Sequence, residues 1–209
     1  MMRIESIAAQ PDRVGRHLVK FSDDSTMRLY RQTVEDFALF TGMELDDKQV
    51  NDLRQAAQMM SARMRAVRIL SVTSVSMDDL EQRLIRKGES AACAKEAVAW
   101  MSDLNLLDDS KTAEQIVQKC IHKGYGVSRA KQALYEKRIP KDLWQEALKD
   151  YPDQTEKIVS FLRKSISDLS DERQLRRAMD ALVRRGHSYS EIRSAMEQVS
   201  LDIDEFPEG

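Results

Sequence analysis

Leu84-Ile85-Arg86-Lys87-Gly88, Leu134-Tyr135-Glu136-Lys137-Arg138 and Leu182-Val183-Arg184-Arg185-Gly186 are three copies of one pattern. Each runs from a leucine through basic residues to the stop of a helix. Their last residues are spaced by 50 and then 48 positions. Six residues past each stop stand Ala94, Trp144 and Ile192; nine past stand Ala97, Ala147 and Ala195; ten past stand Val98, Leu148 and Met196. Matching faces at matching offsets mark an internal repeat. The small alanine at one register predicts a close helix–helix approach, with larger neighbours filling the adjoining space. A unit of this length has room for three helices and their turns, slightly longer than the HEAT and armadillo periods.

Reading outward from these segments predicts helices over residues 77–87, 91–104 and 110–122, then 128–138, 141–149 and 155–165, then 171–185 and 190–199. The last opens on a Ser188-x-x-Glu191 capping box. The repeats are placed at 73–124, 125–168 and 169–200, the third truncated to two helices, before an acidic tail at 201–209. Before them, residues 1–72 form a different module. Around Ile4 and Ile7, at His17, Val19 and Phe21, and at Met27 and Leu29 the residues alternate, with a turn cluster at Ser22–Ser25. This predicts a small antiparallel β-ribbon. Thr33-Val34-Glu35-Asp36 fits a capping box, placing Phe37 and Phe40 inward and Gly42 at a left-handed stop. A long helix starts near Asp46 or Asp47, with its stripe at Val50, Leu53, Ala57, Met60, Met64 and Val67. Ser71-Val72-Thr73-Ser74 ends it.

The composition agrees with a soluble, mostly α protein. Of 209 residues, 33% are charged and 42% hydrophobic, with only 7 Gly and 4 Pro, too apolar for a disordered chain. No apolar run is long enough for a membrane span, and Arg3 and Glu5 interrupt any signal-peptide core. Cys93 and Cys120 alone make neither a disulfide framework nor a four-ligand zinc site, which predicts a cytoplasmic location. The net charge of −2 excludes a globally basic nucleic-acid binder, so local clustering must carry any charge argument. His17, His122 and His187 have no spacing partners, and metalloprotease, dinucleotide, phosphate-loop and nucleophile-elbow motifs are absent. No catalytic residue, metal or cofactor is predicted.

Two basic segments stand out. Arg173, Arg177 and Arg184 fall on one side of a helix, with Arg176 about 60° off and Arg185 adjoining. Leu175, Met179, Leu182 and Val183 lie roughly opposite, and Asp180 interrupts the basic face. A solvated face and a contact surface for phosphates or acidic protein groups both fit this pattern, although arginine suits bidentate contacts. In Lys123-Gly124-Tyr125-Gly126, followed by Arg129 and Lys131, backbone amides and cations can approach a phosphate. A flexible turn between repeats fits the same residues. The methionines from Met59 to Met64, Trp100, Trp144 and both cysteines are read as packing. His122 and His187 are placed at helix ends.

Five ordered stretches carry a resemblance to a known family: Thr41–Asp46 (TGMELD), Ala66–Ser71 (AVRILS), Leu80–Gly88 (LEQRLIRKG), Leu104–Asp109 (LNLLDD) and Lys123–Gln132 (KGYGVSRAKQ). From about residue 2 to 200 the chain resembles RecX, the bacterial regulatory protein of the RecA recombinase. It departs from that family at Thr73-Ser74-Val75-Ser76, where a basic Arg-Pro-Arg-Ser-like segment is usual. It departs again at Thr112-Ala113-Glu114 in place of an aromatic-Ala-Arg run, and at Arg138 in place of a glycine. The resemblance implies an elongated, curved array of three-helix units that binds in the groove of the RecA–DNA filament and modulates, mostly inhibiting, recombinase, ATPase and strand-exchange activity without chemistry of its own. The implied partners are that filament and, weakly and salt-sensitively, single- or double-stranded DNA, with no membrane and a monomeric chain. Arg173, Arg176, Arg177, Arg184, Arg185, Lys123, Arg129 and Lys131 are the candidate contacts. A generic helical-repeat scaffold for DNA or another protein is the alternative.

Overall fold

The computed structural model describes residues 1–167 and 171–204, with 201–204 as backbone alone. Three strands, β1 (Met2–Ile7), β2 (Arg16–Phe21) and β3 (Thr26–Tyr30), lie where alternation placed them. A fourth, β4 (Glu44–Leu45), pairs with the outer side of β1 and gives the antiparallel order β3-β2-β1-β4. Alternation sends Val19, Phe21 and Leu29 to one face, with Ile4 opposite Phe21. There they pack with Leu45, Val50 and Leu53.

The short helix α1 (Arg31–Asp36) follows the sheet directly. Its N-cap is Tyr30, without a side-chain cap, and Thr33 is buried inside the helix instead of opening it. The expected capping box is therefore absent, because β3 runs straight into the first turn. Ala38 adopts φ 47°, reversing the chain so that Leu39 enters the core and Phe40 is left 60% exposed. Of the two phenylalanines expected inside, only Phe37 packs against the sheet core.

Helix α2 (Asp47–Leu70) is capped by a reciprocal box: Gln49 N–H donates to Asp46 Oδ1 at 2.7 Å, and Asp46 N–H donates to Gln49 Oε1 at 2.9 Å. Its first half buries Val50 and Leu53 against the sheet. Its second half buries Ala62 and Ala66, while Val67 is exposed. The single stripe expected from sequence turns partway along, because the two halves face different cores. Helices α3 (Met77–Arg86) and α4 (Ala91–Asp103), capped by Ser76 and Ser90, complete the second of these. Ala62, Ala66, Ala94 and Ala97 are fully buried in it, beside Leu80, Leu84 and Met101.

Residues 108–204 contain α5 (Asp109–His122), α6 (Val127–Glu136), a 3-10 turn at Lys141–Leu143 continued by α7 (Trp144–Leu148), α8 (Thr155–Ser165), α9 (Glu172–Arg184) and α10 (Tyr189–Asp204). One core joins α5 and α6 to Trp144, Ala147 and Leu148 of α7; the other joins α8, α9 and α10. Among the described residues the protein is thus mostly helical after one small N-terminal sheet. The chain clusters into two compact units, Met1–Leu107 and Asp108–Gly209.

These cores group the helices as α2–α3–α4, α5–α6–α7 and α8–α9–α10. The division at 73–124, 125–168 and 169–200 starts each triplet one helix later, and α8 supplies the helix that made the last unit look truncated. The helix expected at 141–149 is a 3-10 turn and five α residues. Helix α10 runs five residues past Val199, and residues 205–209 of the acidic tail lie outside the described residues.

The three quoted segments end in one geometry. The amides of Glu89, Ile139 and His187 donate to the carbonyls of Leu84, Leu134 and Leu182, each leucine buried. The residue that turns the chain has φ 93° at Gly88, 57° at Arg138 and 88° at Gly186. Arg138 thus holds the left-handed position at a cost glycine avoids.

Ala97 and Ala195 are fully buried, as their shared register requires, but Ala147, on the short α7, is half-buried. Ala97→Leu is expected to lower stability by about 1–3 kcal/mol through overpacking, with Ala147→Leu costing less. Urea midpoints of the two variants check the order; equal midpoints would deny Ala97 its closer packing.

A candidate cationic docking site

Two helix ends build the site. Helix α5 stops at Lys123, and Gly124 turns the chain at φ 66°. Tyr125 N–H then closes on Cys120 O at 3.0 Å. Gly126 caps α6 with no side chain, and its amide donates to Arg185 O at 2.9 Å, beyond the end of α9. A Cβ on Gly126 would stand 2.1 Å from Gly186 O, and one on Gly186 would stand 2.3 Å from the Arg129 amide nitrogen. Backbone meets backbone here, and only two glycines permit it. The turn expected to be flexible is a packed joint: Gly124 and Gly126 are both buried.

Side chains close the remaining backbone valences of the joint. His187, buried at the end of α9, places Nε2 3.0 Å from Gly124 O. Tyr151 O–H donates to Tyr125 O at 2.7 Å. Lys157 Nζ donates to Ile121 O. Burial pushes the Tyr151 hydroxyl up to about 12, so it remains a donor at neutral pH. Because the folded value lies above the unfolded one, near 10, its contribution is full below pH ~10 and fades as pH rises toward 12. Alkaline unfolding of the wild type is therefore expected to steepen in that window, and Tyr151→Phe to remove that part of the pH dependence. Parallel midpoints for the two proteins from pH 9 to 12 would exclude the role.

On the surface of the joint, Lys123, Tyr125, Arg129, Ala181, Arg184 and Arg185 line an open pocket of about 460 Å³. No carboxylate is in this lining. Arg129 pairs with Glu136 at 3.1 Å, and that carboxyl is held below its usual range by hydrogen bonds from Gln132 and Arg129. The Arg185 guanidinium stacks on Phe161 at 4.3 Å, and Lys123 lies 5.9 Å over Tyr125. Arg184 is exposed and makes no ion pair among the described residues. The pocket thus offers directed N–H donors to an oxyanion, with Tyr125 as part of its wall.

Four of the eight candidate residues, Lys123, Arg129, Arg184 and Arg185, come together here from sequence positions some sixty apart. Arg177 lies two turns before Arg184 on the same face of α9 and Arg173 one turn further, extending a cationic stripe over about 16 Å. Both are exposed and free of ion pairs among the described residues, as is Arg176, which points to one side. Lys131 is exposed on α6 but lies 200° around the helix from Arg129, away from the pocket. Val183, expected inside, is 36% exposed, and Arg185 packs on a ring instead of facing freely outward.

A second basic groove, of about 440 Å³, was missed in the sequence. It lies in the first unit and its lining includes Arg16, Arg65, Arg68, Arg83 and Lys87. Arg65 with Arg68, and Arg83 with Lys87, are at helical spacings; a charge count by face would have found them. Among the described residues no cluster of His, Cys, Asp and Glu fits a metal ion, and no helix is long and apolar enough to cross a membrane.

Residues 108–148 match the family profile described as RecX, second three-helix domain. They coincide with α5, α6 and α7. The chain is 27% identical to the regulatory protein RecX of Bacillus subtilis (strain 168), over 97% of this chain and 79% of that one. It is 22% identical to the regulatory protein RecX of Streptococcus gordonii, over 90% and 75%. A crystal structure of regulatory protein RecX superposes with TM-score 0.70 at 21% identity, covering 94% of this chain and all of the other. RecX from Lactobacillus salivarius superposes with TM-score 0.63 at 24% identity, covering 70% and 99%. At those identities the superpositions speak for the fold.

Proposed function

Because the chain is a member of the RecX family, we propose that it is a non-catalytic regulator that binds the RecA–DNA filament and lowers recombinase, ATPase and strand-exchange activity. The observation that supports this most is the cationic joint, where Lys123, Arg129, Arg184 and Arg185 meet in a pocket without a carboxylate, continued along α9 by Arg177 and Arg173. A nucleoprotein filament repeats phosphates and acidic side chains along a groove, and a stripe of cations makes many weak contacts that add. None of these contacts involves bond making, so the activity follows from occupancy of the groove.

The test is RecA ATPase and strand exchange with and without the chain, across a salt series. Inhibition that fades steeply as salt rises is the expected result, since exposed cations are screened and counterion release diminishes. No effect at low salt would favour a scaffold for another partner.

A further inference from the structure

We propose that the first unit carries a separate phosphate-binding groove for a nucleic-acid strand, formed by Arg16, Arg65, Arg68, Arg83 and Lys87. The cations come from β2, from the second half of α2, and from α3 and the residue after it, so the fold converges them. Four are braced from behind. Arg68 Nη2 donates to Tyr30 Oη at 2.7 Å and to Val14 O at 3.3 Å. Arg65 pairs through Nε with Glu89 at 2.8 Å and donates through Nη1 to Lys87 O at 2.9 Å. Arg16 pairs with Asp12, and Arg83 with Asp79, each at 2.9 Å. A guanidinium has five N–H donors, so each braced arginine keeps donors to offer while its direction is fixed. Asp12, Asp79 and Glu89 hold three of the arginines yet are not part of the groove's lining. The ammonium of Lys87 is exposed and makes no ion pair among the described residues.

The lining adds the hydroxyls of Ser61, Thr73 and Tyr30 and no carboxylate. A phosphodiester backbone presents acceptors alone, which this donor-rich surface meets. An acidic peptide would also bring backbone N–H groups, and the lining leaves those without strong acceptors. Arginine forks dominate the set, matching paired phosphate oxygens. The inference goes beyond the filament reading and needs no recombinase to be tested, so the two can fail separately.

The experiment is fluorescence anisotropy of the intact chain with a labelled single-stranded oligothymidylate across a salt series, with polyglutamate as the competing probe. Lys87→Glu is expected to weaken binding about tenfold at low salt and to reduce the slope of log affinity against log salt by about one. Lys87→Arg should keep both. The Lys87 side chain braces nothing, so the variants keep the fold, which circular dichroism checks; Arg83→Gln provides a second reading with the same expected direction. Wild-type affinity and slope in Lys87→Glu would overturn the proposal. So would binding lost only in Lys123→Glu/Arg184→Glu, or polyglutamate displacing the oligonucleotide at equal charge concentration.

Discussion

Gly186→Ala is expected to cost about 3–4 kcal/mol, more than any other single methyl added to this chain, because strain and overlap coincide there. Its φ of 88° belongs to the left-handed region that L side chains resist. Its Cβ would also stand 2.3 Å from the Arg129 amide nitrogen and 2.6 Å from Arg129 Cβ, both on the first turn of α6. Two variants separate the causes. Gly88→Ala meets a φ of 93° with nothing within 4 Å, and should lose only about 1 kcal/mol. Gly126→Ala has an ordinary φ but a Cβ 2.1 Å from Gly186 O, and should lose about 1–3 kcal/mol by overlap alone. Urea unfolding followed by circular dichroism gives the three values. A Gly186→Ala midpoint no lower than that of Gly88→Ala would mean that α6 and α9 do not touch as described.

The second large effect is functional. On the proposed function, Arg173→Glu/Arg177→Glu/Arg184→Glu should abolish the inhibition of strand exchange expected of the wild type at saturating concentration, a shift of at least about tenfold, and flatten its salt dependence. The three side chains are exposed and hold no ion pair among the described residues, so far-ultraviolet circular dichroism and the urea midpoint should stay close to wild type. Companion pairs divide the effect: Lys123→Glu/Arg184→Glu removes the pocket, and Arg173→Glu/Arg177→Glu removes the stripe. Asp180 breaks that stripe, so Asp180→Asn should act in the opposite direction and strengthen docking. Undiminished inhibition by the triple variant would take this face of α9 out of the mechanism.

The sequence shows its local signals well and its meetings poorly. Asp46 with Gln49, and Ser188 with Glu191, announce helix starts because a cap is built from neighbours. Two-residue β4 carries no alternation to read, and an alanine at φ 47° has no signature, so Leu39 enters the core where Phe40 was expected. The repeat period is legible in three leucines and their stops, but its phase is not. Whether α5 closes one triplet or opens the next depends on which apolar faces meet, and Val117 looks the same in either case. At the site each half has a basic composition that can be seen alone. Their junction rests on Gly126 against Gly186, a contact between residues sixty apart that no periodicity encodes. In the groove around Arg68 the pairs Arg65 with Arg68 and Arg83 with Lys87 are legible by helical spacing, but their meeting with Arg16 is not, since the cations come from three separate elements.

Helix α2 belongs to two cores at once, Val50 and Leu53 closing the sheet and Ala62 and Ala66 closing the first helical triplet. That sharing makes the β-module and the triplet one cooperative melting unit, because neither can come apart without uncovering a half of the same rod.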